Sequence, residues 1–533
     1  MGMKEMPSVK DIRNGRKYWE NDFGSFKAKV LVETPHPLEG IVNFGYKAPY
    51  LIVFEEKDMT SEEVIAYADE KGLSEIARRY SSSVVFIYPS SDNGWIDAPS
   101  SVFRDVIANS RIHQYYKDGV VTSKNRFTGE WEDCYIRGAI FRTFVYGTGA
   151  AADHIAKNLL TTYEGQFLWG PGEITPACVI LERLSVMPEV TRDDIPVVSI
   201  NNSDEINTYL KGKCNKLLIK DKNEAIKDFD GFIRNFKRWC GNLEINPDLE
   251  KMGLVEEPGY YEVKVSPDNK GDDKDLDTHK IGYVAYYNKG LLDNGKVPTL
   301  MAFHGGGDSA FYIMYESRWI DVANKYGILI ISVENHINST ATETIELIGK
   351  LKEKYPIDEK RLYATGFSMG GVKTWDLYQE HPSYFAAMAP MDATAEVGDN
   401  VYFDHSPYEI NKDTPVPIFY AGGEITPLPE LPFQEFKCWD RIRYLFEVNR
   451  LKAPYNVTFD DKDSWENKIW GISGDKVVKI EDKIRDAVLT LNYFENEDGV
   501  FNTVLGSIDN QGHECRAHTC EQAWIFMSQF VKE

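Results

Sequence analysis

The feature that most constrains the fold is a regular alternation of apolar strands and amphipathic helices in the second half of the chain. TLMAFHGGG (299–307), ILIISVEN (328–335) and VPIFYAGGE (416–424) have the composition of strands, whereas WIDVANKYG (319–327) and TETIELIGKLKEKY (342–355) have a helical period. Near-continuous apolar strands are buried on both faces. The pattern therefore predicts an α/β fold with a mostly parallel sheet and helices on both sides.

The first half repeats this order of elements. Gly147 corresponds to Gly366 and Pro196 to Pro415, so that two separated motifs share one offset of 219 residues (366 − 147 and 415 − 196). A shared offset favours an internal duplication of one α/β unit, and two unrelated α/β domains are the alternative.

The length of 533 residues also indicates at least two domains, and we predict them at 1–245 and 246–533. The polar segment SPDNKGDDKDLDTHK (266–280) is a candidate linker or, because strand-like runs flank it, a long hairpin loop.

Charge and composition restrict the partners. Lys plus Arg number 60 against 83 for Asp plus Glu, a net charge of −23, which repels nucleic acid and anionic membrane surfaces. No run of about 18 apolar residues occurs and the N-terminus has no signal-like apolar core, so we expect no membrane span. Seven thinly spread cysteines are typical of reduced thiols in a cytoplasmic protein, although a secreted protein trimmed of its signal would look the same.

The segment YATGFSMGGVKTW carries a G-x-S-x-G pattern, Gly366 to Gly370, between a strand and a helix. Such a turn is so sharp that its flanks require glycine, and it exposes a serine at the helix N-terminus. The pattern predicts Ser368 as a nucleophile, with a structural serine as the alternative.

A glycine loop, defined here as residues 304–309 (HGGGDS), follows an apolar strand 64 residues before Ser368. The backbone N–H groups of Gly305 and Gly306 could approach an oxyanion unobstructed, and the N–H of Met369 would supply the second donor. A flexible turn is the alternative interpretation, and we expect His304 to organise the loop.

The histidine of such a site comes late in the chain. His513 follows a strand and is our predicted base, with His518 as the second choice. The same stretch places His513, Cys515, His518 and Cys520 within eight residues, which is too close for one tetrahedral ion, so no metal and no organic cofactor is expected. A bridge between Cys515 and Cys520 would require an oxidising compartment.

The predicted acid is Glu424, at the end of the strand PIFYAGGE, with Asp392 in APMDATAE as the alternative. IDEKRLYATGFSMGG, HGGG and a late Gly-His before an AW-x-F helix resemble the α/β-hydrolase superfamily, and are most similar to its feruloyl esterase and polyhydroxybutyrate depolymerase group. The resemblance spans about residues 258–533. Members of that group carry an aspartate where this chain has Thr426.

The resemblance implies a serine carboxylic-ester hydrolase acting through an acyl-enzyme on small aryl, hydroxycinnamoyl, acetyl or hydroxyalkanoate esters. A serine peptidase or amidase, or a binding protein that retains the fold, are the alternatives. An insertion at about 430–500, rich in aromatics, would form a lid or pocket wall, or else a surface subdomain with its own core. Its aromatic residues are Trp439, Tyr444, Phe446, Trp465 and Trp470.

The first half lacks this chemistry. At the shared offset Gly149 falls where Ser368 stands, and Glu55-Glu56 fall where the second half has His304-Gly305. We therefore predict a degenerate, non-catalytic hydrolase-like domain that supports the second half by packing, pocket-building or homo-oligomer formation.

Overall fold

The chain was analysed as a computed structural model. It describes residues 10–13, 16–32, 38, 40–44, 48–80, 82–108, 115–117, 120–124, 131–133, 139–161, 176–193, 195–220, 238–239, 242–245, 249–306, 308–393, 410–425, 436–452, 473–482 and 486–533. The chain divides into two compact units, Met1–Asn246 and Pro247–Glu533, here called unit 1 and unit 2.

Unit 1 contains a nine-stranded sheet, a three-stranded sheet (β6-β7-β8), a two-stranded sheet (β13-β14) and five described helices. The strands are β1 (Lys10–Arg13), β2 (Arg16–Asp22), β3 (Phe26–Val32), β4 (Pro49–Phe54), β5 (Ser83–Pro89), β6 (Tyr115–Lys117), β7 (Val120–Lys124), β8 (Trp131–Asp133), β9 (Ala139–Thr148), β10 (Cys178–Glu182), β11 (Val197–Ile200), β12 (Leu217–Lys220), β13 (Arg238–Trp239) and β14 (Asn242–Ile245). The helices are α1 (Ser61–Glu70), α2 (Leu73–Tyr80), α3 (Val102–Ala108), α4 (Ala150–Leu159) and α5 (Asp204–Lys213).

Unit 2 contains a ten-stranded sheet and seven described helices. The strands are β15 (Leu254–Lys264), β16 (Thr278–Asn288), β17 (Val297–Phe303), β18 (Leu329–Val333), β19 (Ile357–Phe367), β20 (Ala387–Met391), β21 (Ile418–Gly423), β22 (Lys476–Asp482), β23 (Ala487–Glu495) and β24 (Phe501–Ile508). The helices are α6 (Leu249–Met252), α7 (Ala310–Glu316), α8 (Trp319–Tyr326), α9 (Ala341–Lys354), α10 (Met369–Glu380), α11 (Phe436–Val448) and α12 (Ala517–Met527).

The two sheets share the order of seven consecutive strands and differ at their edges. In unit 1 the order is β1-β2-β3-β5-β4-β9-β10-β11-β12, and in unit 2 it is β15-β16-β18-β17-β19-β20-β21-β24-β23-β22. In each sheet six consecutive strands are parallel and are preceded by an antiparallel strand, β3 in one and β16 in the other. Two sheets that share this order are consistent with tandem α/β units.

The sequence explains why the parallel strands form the centre of unit 2. All residues of β18 and β20 are buried, and six of the seven in β17 are buried, as helices on both faces require. Helix α9 begins with a capping box, in which Thr340 and Glu343 each bond the other's backbone N–H.

The polar segment 266–280 belongs to a hairpin and is not a linker. Strands β15 and β16 on either side of it pair antiparallel from Leu254–Asn288 to Lys264–Thr278. Of the two interpretations of this segment, the hairpin loop is therefore the one the structure has.

The described part of the predicted insertion at 430–500 consists of elements of the fold. Tyr444 and Phe446 on α11 are buried in the hydrophobic core of unit 2, and β22 and β23 extend the sheet beyond β24. The pocket-wall interpretation of these two side chains was wrong, because they supply apolar area that the sheet buries. Trp465 and Trp470 lie outside the described residues, as does the side chain of Trp439.

No helix within the described parts of the chain combines the length and apolar character that crossing a membrane requires.

Candidate active site

Ser368 occupies the turn between β19 and α10. Its φ of 54° and ψ of −117° lie outside the regions that non-glycine residues prefer, and its N–H donates to the Met391 carbonyl at 3.0 Å. A left-handed φ on such a residue costs of the order of 1 kcal/mol or more and persists only where its surroundings enforce it. The serine stands half-buried, immediately before the first turn of a twelve-residue helix.

Close contacts with the backbone require glycine on both sides of the serine turn. A methyl group on Gly370 would overlap the carbonyl of Phe303, and one on Gly366 would overlap the carbonyl of Gly370. The turn can therefore approach the end of β17 only because neither residue has a side chain.

The glycine loop lies directly against this turn. A methyl group on Gly305 would come within 2.9 Å of the Phe367 ring, and one on Gly306 would overlap the sulfur of Met369. Phe367 and Met369 are the residues on either side of Ser368. The loop and the serine turn thus meet.

His304 organises the loop. Its Nδ1 lies 2.7 Å from the Gly305 carbonyl and its Nε2 lies 2.6 Å from the Glu334 carbonyl, while its own carbonyl accepts a bond of 2.8 Å from His336 Nε2. Complete burial lowers the pKa of His304, and its contacts with the two carbonyl oxygens act in the opposite direction.

The His513 ring packs on the residue that precedes Ser368. Its centroid lies 4.9 Å from that of Phe367, with 36° between the ring planes. Burial lowers the pKa of His513 below its usual range, and the negative charges of Asp392 and Asp308 act in the opposite direction. A neutral imidazole in a field of carboxylates is suited to accept a proton.

Asp392 follows β20, the strand next to the serine-bearing β19. It is 3% exposed and has a φ of 46°, and its Oδ1 accepts a bond of 2.9 Å from the Gly423 N–H. This carboxylate is one of the two whose charge acts on His513.

Glu424 is directed elsewhere. Its half-buried carboxyl lies beside Ser507 and Asp509, and burial followed by the Asp509 charge raises its pKa. Glu424 follows β21, one strand farther from Ser368 than Asp392, and neighbouring strands are about 4.8 Å apart. Sequence order alone favoured Glu424, whereas the structure brings the charge of Asp392 to His513.

His518 is held away from the turn. It lies on α12 with its Nδ1 3.6 Å from Asp482 Oδ2, at the β22 edge of the sheet. The neighbouring Cys515 and Cys520 are buried thiols whose sulfurs lie 3.3 Å apart. No cluster of three or more metal-ligand side chains occurs within the described residues.

Unit 1 keeps the backbone of this site without its chemistry. Gly149, at the start of α4, has φ 57° and ψ −129°, and its N–H donates to the Glu182 carbonyl at 2.9 Å, as Ser368 does to Met391. Arg183 stands where unit 2 has Asp392. Its φ is 53°, and its N–H likewise donates to a carbonyl of the next strand.

An ion pair fills the place of the missing nucleophile in unit 1. A methyl group on Gly149 would lie 2.7 Å from Glu56 Oε1, and the other oxygen of Glu56 accepts from Arg183 at 2.9 Å. Arg183 also donates to Thr148 Oγ1 at 2.8 Å. The residues that stand in place of the glycine loop and the acid, Glu56 and Arg183, thus pair with each other beside Gly149.

Two residues of the site escaped the sequence analysis. Phe367 is the variable position of the G-x-S-x-G pattern, and nothing in the sequence pairs it with His513. Asp308 belongs to the glycine loop, and an acidic residue directly after glycines was the available signal that it would reach the site.

The strand order of unit 2, its strained serine turn and the adjacent glycine loop are those of an α/β-hydrolase fold. No family model matches the sequence. The chain is similar to a bifunctional acetylxylan esterase/xylanase of Neocallimastix patriciarum, with 28% identity over 135 residues, which are 24% of this chain and 19% of that protein. The match thus spans about a fifth of the length of that relative.

Among solved structures, the chain resembles an acetyl xylan esterase from Aspergillus awamori (TM-score 0.32, 12% identity, 51% of this chain and 99% of that one). It also resembles an S-formylglutathione hydrolase from Staphylococcus aureus (TM-score 0.29, 18% identity, 37% and 85%). A third is a feruloyl esterase module from Clostridium thermocellum (TM-score 0.25, 14% identity, 37% and 73%).

Proposed function

We propose that unit 2 is a serine carboxylic-ester hydrolase, with Ser368 as nucleophile, His513 as base and Asp392 as acid. The observation that carries the proposal is the strained backbone of Ser368, packed between the glycine loop and the residue on which the His513 ring lies. Asp392 replaces Glu424 in this proposal, because its charge acts on His513.

In the proposed reaction His513 takes the Ser368 proton as the hydroxyl oxygen attacks the ester carbonyl. The backbone N–H groups of Met369 and of Gly305 or Gly306 hold the oxyanion of the tetrahedral intermediate. As this intermediate collapses, the imidazolium gives its proton to the departing alcohol and an acyl-enzyme remains. A water molecule, deprotonated by the same imidazole, then releases the acid.

The substrates we propose are esters of small acids, with acetyl esters first. The similarity to an acetylxylan esterase/xylanase supports this choice, as does the overall charge of −23, which disfavours polyanionic substrates. Aryl, hydroxycinnamoyl and hydroxyalkanoate esters complete the panel to be assayed.

Replacing Ser368 with Ala tests the nucleophile. We expect 4-nitrophenyl acetate hydrolysis to fall to the level of the uncatalysed reaction plus residual oxyanion stabilisation, a loss of roughly 10⁴-fold or more. Covalent labelling by a fluorophosphonate should disappear with it, while the thermal transition of the variant stays cooperative. Near-wild-type turnover in S368A would overturn the proposal, and wild-type protein that neither labels nor hydrolyses esters would indicate a binding protein. Aminoacyl amides in the same assay separate esterase from amidase activity.

A further inference from the structure

Asp308 is the second carboxylate, besides Asp392, whose charge acts on the candidate base His513. Its N–H donates to the Gly305 carbonyl at 3.1 Å, and this tight turn folds the side chain back over the loop. A methyl group on Gly305 would lie 2.5 Å from Asp308 Oδ2 and 2.9 Å from the Phe367 ring, which in turn contacts His513. The Asp308 carboxylate and the Phe367 ring thus both lie against Gly305, and the His513 ring packs on the same phenylalanine.

The two aspartates differ in their surroundings. Asp392 is buried, and a backbone N–H at the end of the neighbouring strand holds its Oδ1. Asp308 is half-exposed and lies in the loop whose N–H groups would bind the ester carbonyl oxygen. An acyl or alcohol group bound at Ser368 would thus lie within the field of Asp308.

We propose that Asp308 determines charge specificity: it disfavours esters that carry an anionic group near the scissile carbonyl and favours neutral ones. This inference rests on the proposed esterase function of unit 2. Two like charges about 6 Å apart, at an effective dielectric constant of about 40, repel enough to lower kcat/KM about tenfold.

Other charged groups lie at the same end of the sheet and must be considered. Asp392 also faces His513, and Glu424 and Asp509 lie together after the next strands. Glu514 is paired with Arg516. Among these carboxylates, Asp308 is the one that lies in the glycine loop. Removing its charge should therefore have the largest effect on the electrostatic field at the bound ester.

The test compares 4-nitrophenyl butyrate with 4-nitrophenyl hemisuccinate, which has a similar chain length and one negative charge. In Asp308→Asn we expect the ratio of kcat/KM for hemisuccinate to that for butyrate to rise about tenfold. Asp308→Glu keeps the charge and should keep the wild-type ratio. Asp293→Asn, an exposed carboxylate in the same unit, is the matched control and should also leave the ratio unchanged.

A second readout separates a charge effect from a packing effect. The Asp308 charge raises the pKa of His513, so Asp308→Asn should move the acid limb of the kcat/KM profile to lower pH. Added salt should screen the Asp308 charge and so reduce the difference in kcat/KM between butyrate and hemisuccinate in the wild-type protein. An Asp308→Asn variant that hydrolyses butyrate with an unchanged ratio would overturn the inference. Wild-type protein inactive on both esters would instead overturn the proposed function.

Discussion

At the scale of single residues, the candidate site depends on which carboxylate reaches the imidazole. Asp392 and Glu424 follow adjacent strands, and chain order cannot distinguish them. The two residues differ in backbone conformation. A φ of 46° at Asp392 turns its side chain into the site, where the carboxylate accepts a hydrogen bond from the Gly423 N–H. Glu424 lies instead beside Ser507, on the far side of its strand.

Replacing Asp392 with Asn therefore tests the assignment of the acid. We expect kcat for 4-nitrophenyl acetate to fall by roughly 10³–10⁴-fold, because an amide neither orients the imidazole tautomer nor stabilises its charged form. The matched Glu424→Gln change removes a carboxylate one strand away and should leave kcat little altered. The opposite pattern, with Glu424→Gln inactive and Asp392→Asn active, would restore Glu424 as the acid.

At the scale of elements, a buried ionic cluster fastens the β15–β16 hairpin to helix α9. Glu343 accepts bonds from the Ser266 N–H at 2.6 Å and from the Asn269 amide at 2.9 Å. The His279 ring lies between two carboxylates, 3.4 Å from Glu343 and 3.1 Å from Asp273. The hairpin loop, polar in sequence, is thus bonded to the helix N-terminus.

This cluster makes stability depend on pH. Burial raises the pKa of Glu343, but hydrogen bonds from His279, Asn269 and backbone N–H groups outweigh it and lower the pKa to about 2. A carboxylate whose pKa is lowered by folding stabilises the folded state at pH values above its unfolded pKa of about 4.3. This stabilisation, up to ~3 kcal/mol, is lost as the pH falls toward 2. His279 has a raised pKa, because its bonds to Glu343 and Asp273 outweigh burial, so its contribution is full below about 6.5 and is lost at higher pH.

Glu343→Gln should accordingly lower the free energy of urea unfolding most between about pH 4.5 and 6.5, with the difference from wild type shrinking toward pH 3. Glu353→Gln, an exposed position on the same helix, is the control and should show no such trend. A difference that is the same at pH 3 and pH 6 would contradict this account.

At the scale of the whole molecule, the sequence predicted two α/β units, and the structure has two sheets that share the order of seven consecutive strands. The prediction succeeded because apolar strand patterns and glycine turns are local signals that survive in both halves. It did not anticipate that β22 and β23, within the predicted insertion at about 430–500, extend the sheet beyond β24, because alternating edge strands resemble a surface segment. It was also silent on Arg183 and Asp308, whose roles depend on which strand ends adjoin.

Unit 1 should contribute no nucleophile. We expect one fluorophosphonate adduct per chain by intact-mass measurement, and still one after Gly149→Ser, because Glu56 occupies the space of that side chain and Arg183 stands in place of the acid. Gly149→Ser in the Ser368→Ala background should remain unlabelled. A second adduct in the single variant would show that unit 1 retains a competent base.

The ion pair of unit 1 also bears on how such sites change over evolutionary time. Gly149 and Arg183 keep the unusual backbone angles of their counterparts although neither performs chemistry, so the conformations belong to the architecture and not to the reaction. The turn of unit 1 thus keeps its form with glycine in place of serine. The backbone of unit 1 already has the conformation of a serine turn. Side-chain replacements could therefore change its chemistry without any change in the sheet.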